Sequence, residues 1–245
     1  MSRYAGRADY YARNRPTYPA GVISLLAEAG FLFPGAVLAD IGSGTGKLAE
    51  LFLREGYTVH AVEPDPAMRE AASRGLAAFP GYHLLPGSAE ATGLADACVD
   101  LIIVGQAFHW FDPVPARAEF LRISRPPHRL ATVDNRPTPD SVWMEVRENL
   151  RRHETNPVMS VLNERNPENA RGSFFTSHTF RVFPNDHYFD FEGLVGRVLS
   201  LSNKPMPGQP GYDAMLADLR AIFDRRQQAG RIQVKFETRL YYGNL

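Results

Sequence analysis

Asp40-Ile-Gly-Ser-Gly-Thr-Gly46 sets a carboxylate ahead of three alternating glycines, and Glu63 ends a second apolar run, Tyr57-Thr-Val-His-Ala-Val-Glu63. Alternating glycines let a backbone turn tightly and approach a ligand closely. In a doubly wound sheet, an acid at the end of the second strand is placed to accept both ribose hydroxyls of an adenosine. The two segments therefore read as halves of a nucleoside site. Dinucleotide sites use G-x-G-x-x-G and seat a pyrophosphate on a helix N-terminus. Here the order is D-x-G-x-G-x-G, and a carboxylate beside two phosphates is repulsive.

The elements that must hold these residues follow from periodicity. Ala36 to Ile41 is an apolar run with the character of a strand buried on both faces, and Lys47 to Glu55 reads as the helix after the glycine turn. Pro19 to Gly30 predicts a helix ahead of that strand, with proline in its first turn and glycine after its last. Asp65-Pro66 caps a helix to about Arg74, Tyr82 to Leu85 is a short strand, and Val99 to Val104 is another buried one. Asp112-Pro113 opens a helix to about Ile123, and Arg129 to Val133 is a fifth strand. Strand and helix thus alternate across 36–134, as a parallel sheet with right-handed crossovers requires. Beyond Asp134, Asn135-Arg-Pro-Thr-Pro139 predicts a linker, Ser141 to His153 an amphipathic helix, and 136–176 an insertion capping the site. Thr179 to Phe183 is expected as a strand, Phe191 to Leu199 and Tyr212 to Gln228 as helices, and Ile232 to Tyr242 as a last strand. One domain over 1–245 is expected, with a lid and helix in 1–30 and the rest of the sheet and the substrate side in 177–245.

The carboxylate that repels a pyrophosphate suits an adenosyl cofactor carrying an ammonium and a sulfonium, the charge pattern of S-adenosylmethionine. At Asp40 to Gly46 the chain resembles the class I S-adenosylmethionine-dependent methyltransferases. The likeness implies a mostly parallel seven-stranded Rossmann-like sheet with helices on both faces and a last strand antiparallel to its neighbour. Ligands in such sheets lie beyond the carboxyl ends of the strands. Gly42, Ser43, Gly44 and Gly46 then belong to the cofactor site with Asp40 and Glu63, joined by Met68 after strand two and Gln106 after strand four. Relatives carry an acid that accepts from the adenine amino group where this chain has Ser88, so either Ser88 or Glu90 makes that contact, with Ala89 against the ring. Met68 is equally readable as core.

Gln106-Ala-Phe-His-Trp-Phe-Asp112 is similar to a His-Trp-Phe motif of a small-molecule subgroup that includes trans-aconitate methyltransferase-like proteins. The likeness extends to Tyr11-Ala-Arg-Asn-Arg-Pro-Thr-Tyr-Pro19 and Phe236-Glu-Thr-Arg-Leu-Tyr-Tyr-Gly243. It implies an N-terminal lid in which the segment with Tyr11, Arg15 and Tyr18 folds over the cofactor; Arg15 suits the cofactor carboxylate, an acidic acceptor, or stacking on a tyrosine. Where relatives have a Pro-Gly-Gly turn, this chain has Arg125-Pro-Pro-His-Arg129, a change expected to affect the turn. His109 is the candidate general base, against a reading in which it lines the pocket or bonds backbone. Arg136 and Trp143 begin the cap and are candidate acceptor contacts.

The expected chemistry is methyl transfer to a small organic acceptor, at a carboxylate or hydroxyl oxygen, leaving S-adenosylhomocysteine. An RNA or protein methyltransferase, a non-catalytic adenosyl-cofactor binder and a nicotinamide oxidoreductase stay open as alternatives. The 245 residues hold 27 basic and 27 acidic side chains, a balance that argues against a dedicated nucleic-acid or membrane surface. Arg147, Arg151 and Arg152 are expected on a solvated helix face. A single cysteine, Cys98, excludes an internal disulfide framework and a cysteine-rich zinc site; it is expected in a buried strand, and no metal is expected. The N-terminus lacks an apolar signal core, so a cytoplasmic protein, monomeric or homodimeric, is expected.

Overall fold

A computed structural model describes residues 6–155 and 172–245. Seven strands form one sheet in the order β3-β2-β1-β4-β5-β9-β6. They are β1 (Val37–Ile41), β2 (Thr58–Val62), β3 (Tyr82–Leu85), β4 (Val99–Val104), β5 (Ser124–Pro137), β6 (Ser177–Pro184) and β9 (Phe236–Asn244). The first five run parallel, and β9 lies antiparallel between β5 and β6. Central β1 and β4 are almost wholly buried, which is why they read as unbroken apolar runs. Between them the strand order reverses, and a crevice opens beyond their carboxyl ends.

Helices cover both faces. On one, Val22 and Leu26 of α2 (Gly21–Glu28) and Leu48 and Phe52 of α3 (Lys47–Arg54) pack on Leu38 and Leu101, with Leu76 of α4 (Pro66–Leu76). On the other, Phe120 and Ile123 of α5 (Pro113–Ile123) pack with Ile102 and Phe174. Asp65 and Asp112 cap α4 and α5 by accepting from the amides of Met68 and Val114, each with proline next in the chain.

A third cluster lies over the crevice. It joins Trp143 and Val146 of α6 (Val142–Asn149), Leu194 and Val198 of α7 (Phe191–Leu199), and Leu219 and Phe223 of α8 (Tyr212–Arg226). Within the expected 136–176 cap, the apolar stripe of α6 is buried by helices from the 177–245 region. Residues 156–171 of the cap lie outside the described ones. The N-terminal segment is two helices, α1 (Ala8–Asn14) and α2, joined by an extended stretch from Arg15.

Three boundaries differ from expectation. Asn135 to Pro137 continue β5 instead of forming a linker, because Arg129 to Pro137 pair residue by residue with β9. Arg125 to His128, expected as a turn, also lie in β5, where Val99 pairs Ser124 and the register shifts before Leu101. The last strand breaks at Lys235: β8 (Ile232–Val234) leaves the sheet to pair with β7 (His187–Phe189), a strand the sequence did not reveal. Asp186 fixes the break by accepting from the Phe236 amide and the Gln233 side chain. Cys98 sits just ahead of β4 and is half-buried. Among the described residues, no helix is long and apolar enough to cross a membrane.

Candidate active site

Two adjoining cavities open at the carboxyl edge of the sheet. The larger, about 730 Å³, is lined by Asp40, Gly42, Ser43, Gly44, Glu63 and Met68 from the first two strand ends. Ser88, Ala89, Glu90 and Gln106 line it from the next two, and Tyr11 from α1. Its volume suits a nucleoside-sized ligand.

Its two carboxylates are built in differently. Asp40 leaves β1 inside the protein, and its Oδ2 accepts from the Ala49 amide in the first turn of α3. Its Oδ1 is buried with no hydrogen-bond partner. Burial, reinforced by the charge of Glu63, lifts the Asp40 carboxyl to about 7. Such an oxygen calls for a cation or donor from a ligand. Glu63 accepts from the Gly44 amide through Oε2 and from the Asp65 amide through Oε1, both at 2.8 Å, so it clamps the glycine turn to the end of β2. Burial again raises its pKa, offset in part by those two amides. Each oxygen keeps a second lone pair for a ribose hydroxyl.

Gly44 adopts φ +58°, and a Cβ there would project into open space, so this turn leaves a backbone cradle on the cavity. At Gly42, φ +69°, a Cβ would stand 2.5 Å from that of Ala107. The hydroxyls of Ser43 and Thr45 are buried on the same wall without partners. Carboxylates, orphaned hydroxyls and a bare turn fit an adenosyl cofactor with cationic substituents. A pyrophosphate would add charge of the sign already present.

The remaining expected residues are distributed unevenly. Gly46 does not line the cavity: a Cβ there would lie 2.3 Å from Leu76 Cδ1, so its place is the α3–α4 contact. Met68 serves both readings, lining the cavity while packing under Ala8 of α1. Glu90 accepts from the amide of Asp112. Arg15 does not reach the larger cavity; its guanidinium lies 4.3 Å over Tyr11 and donates to the Ser200 carbonyl, facing the smaller one.

That smaller cavity, about 200 Å³, shares Tyr11, Gln106 and Trp110 with the larger and is lined by His109. His109 lies in the turn Phe108–Trp110, its ring 4.6 Å from that of Trp110. Six cations surround the space: Arg15, Arg136, Arg147, Arg151, Arg197 and Lys204. Asp134 and Glu154 are the carboxylates on its wall. Arg147 and Arg151 were expected on a solvated face. Both are exposed there, at the rim of the smaller cavity, while Arg152 pairs with Asp218 at 2.6 Å. Sequence reading also missed Asp134, Arg197 and Lys204, which reach the smaller cavity from segments without motifs. Their signal, buried charge, exists only once α6, α7 and the 199–204 loop are folded together.

A doubly wound sheet with a nucleoside-sized cavity at its switch point defines a cofactor-binding α/β protein. Residues 39–131 match the family model of a methyltransferase domain. The chain is 40% identical over 127 residues to an uncharacterized methyltransferase of Mycobacterium tuberculosis, covering 51% of this chain and 49% of that one. The chain spans about half the length of the curated relatives it matches first. An uncharacterized methyltransferase-like protein of Schizosaccharomyces pombe is 26% identical over 235 residues, 94% of this chain and 90% of that one. The structure of a putative type II methyltransferase from Anaeromyxobacter dehalogenans shares the fold, with TM-score 0.62, 24% identity, and coverage of 94% of this chain and 97% of that chain. Over residues 39–131 the chain is thus similar to methyltransferase domains, and its fold is that of a methyltransferase structure.

Proposed function

We propose that the chain transfers a methyl group from S-adenosylmethionine to a small organic acceptor, at a carboxylate or hydroxyl oxygen. The observation that carries this reading is the pairing of cavities: one suited to a cationic adenosyl group, opening through Gln106 and Trp110 onto one of about 200 Å³. The cofactor supplies a methyl carbon on a sulfonium, which departs as a neutral thioether and needs no proton.

The protein's task is then to hold and orient. Glu63 takes the ribose hydroxyls, the Gly42–Gly44 turn offers backbone, Asp40 balances positive charge, and Ser88 with Ala89 borders the base. Tyr11 and Met68 wall the cavity from α1 and α4. Positioning alone contributes roughly 7–11 kcal/mol to such displacements. For a hydroxyl acceptor, His109 is the base within the acceptor cavity; a carboxylate acceptor needs none. A space of about 200 Å³ is of small-molecule size.

Calorimetric titration with S-adenosylmethionine, S-adenosylhomocysteine and NAD tests the cofactor. Micromolar binding of both adenosyl ligands, lost in an Asp40→Ala, Glu63→Gln double variant, is expected. Binding of NAD in their place would replace the proposal with an oxidoreductase.

A further inference from the structure

Arg197 is a buried guanidinium without an acidic partner. Only 5% of the residue is exposed, its Nη1 donates to Ser200 Oγ, its plane lies 4.5 Å over Trp143, and its Nε has no hydrogen-bond partner. Arg15, lining the same cavity, repeats the pattern, with one bond to a backbone carbonyl, a tyrosine face, and a buried, unpartnered Nε. Arg15 and Arg147 stand close enough to depress the Arg197 pKa further below the value that burial has already lowered. Burying a cation is costly unless an anion compensates, so the Arg197 guanidinium is a cost that folding alone does not explain. The carboxylate of Glu154 on that wall is bonded to Lys204, whose ammonium also donates to the Leu150 carbonyl.

We infer that the smaller cavity is an oxyanion site in which Arg197 and Arg15, backed by Arg147, grip a carboxylate or phosphate of the acceptor as a handle distinct from the methylated atom. As an acceptor handle it rests on the methyl-transfer reading; as an anion site it stands without it. Guanidiniums bond oxyanions in forked, charge-assisted pairs. An opposite charge so close lowers the basicity of the gripped oxygens and makes them poor nucleophiles. Methyl therefore goes to a second nucleophilic atom of the same molecule, beside Gln106, His109 and Trp110 on the wall facing the cofactor cavity. The acceptor class is a small bifunctional acid.

The full chain is titrated, without cofactor, with 3-hydroxybenzoate, 3-hydroxybenzamide and phenyl phosphate, and separately with S-adenosylhomocysteine. An oxyanion binding at least about tenfold more tightly than the amide is expected, as loss of one charge-assisted bond predicts. The tighter of the two oxyanions distinguishes carboxylate from phosphate. Arg197→Gln and Arg15→Gln should each weaken oxyanion binding about tenfold or more, and Arg197→Gln should leave S-adenosylhomocysteine binding unchanged. Arg197→Met should melt no lower than the parent, since it removes an uncompensated buried charge; Arg15→Gln, at a half-buried position, keeps the test open if that variant misfolds. Equal binding of acid and amide, or oxyanion binding indifferent to both arginines, overturns the proposal. Oxyanion binding that depends on the arginines, in a chain that ignores S-adenosylhomocysteine, retains the anion site while the methyl-transfer reading fails.

Discussion

Asp40 carries the most direct consequence of burial at the residue scale. Its folded-state pKa of about 7 lies above its ordinary 3.8, chiefly through desolvation, so the ligand-free fold binds a proton that the unfolded chain releases between those values. The stability it contributes is complete below the ordinary value and is lost as pH rises through about 7. A cationic ligand prefers the ionised form. Affinity for S-adenosylmethionine should therefore climb as pH rises through about 7, by at most about tenfold per pH unit for one linked proton, and Asp40→Asn should flatten the profile. Calorimetry at pH values on both sides of about 7 checks both, and a flat parent profile would remove Asp40 from cation recognition. Glu63→Gln leaves one of the Gly44 and Asp65 amides without an acceptor, at about 1–3 kcal/mol, read as a lower urea midpoint. Both acids were legible in the sequence because strand ends place them. Arg197 and Lys204 were not, since nothing local marks a cation as buried.

Elements with their own signals were legible in place. Asp65-Pro66 and Asp112-Pro113 announce α4 and α5, and the apolar runs announce β1 and β4, because capping and double-sided burial are written locally. The ends of β5 and the break at Lys235 were hidden, because pairing partners decide them: β9 draws Asn135 to Pro137 into the sheet, and β7 takes Ile232 to Val234 out of it. Gly46 is legible as a glycine but not in its purpose. Its φ of +80° and the 2.3 Å approach of a hypothetical Cβ to buried Leu76 predict that Gly46→Ala costs about 1–3 kcal/mol of stability. The folded variant should still bind S-adenosylhomocysteine like the parent; a selective loss of binding would return Gly46 to the site. Helix α1 is held by different means. The Arg7 guanidinium donates to the carbonyls of Leu199, Leu201 and Lys204, and Asp9 pairs with Arg74 of α4 at the exposed surface. Arg7→Ala should loosen α1 and speed proteolysis ahead of Pro16, while Asp9→Ala, breaking an exposed pair worth under about 1 kcal/mol, should not.

Across the whole molecule, Asn135 ties the parts that no single element explains. From the carboxyl end of β5 its side chain donates to the Thr17 carbonyl at 3.0 Å and accepts from Thr238 of β9 and Asn185 after β6. Its carbonyl accepts from Gln106 Nε2 at 2.6 Å, and Gln106 lines both cavities. Asn185 donates to the same Thr17 carbonyl at 2.8 Å, so the segment between α1 and α2 is pinned to the late strands of the sheet. That segment ends in Tyr18, on the cofactor cavity, and begins at Arg15, on the acceptor cavity. The two binding spaces thus share one polar scaffold. Asn135→Ala removes the side chain, leaves Thr238 without its acceptor, and should cost about 1–3 kcal/mol. Because the loss falls between the cavities, affinity for S-adenosylhomocysteine and for 3-hydroxybenzoate should drop together. Asn185→Ala, at the outer end of the network, should reproduce the effect more weakly. Binding measured for both ligands on both variants tests the coupling: a loss confined to one ligand would mean that each cavity is held by its own elements and that Asn135 serves only one of them.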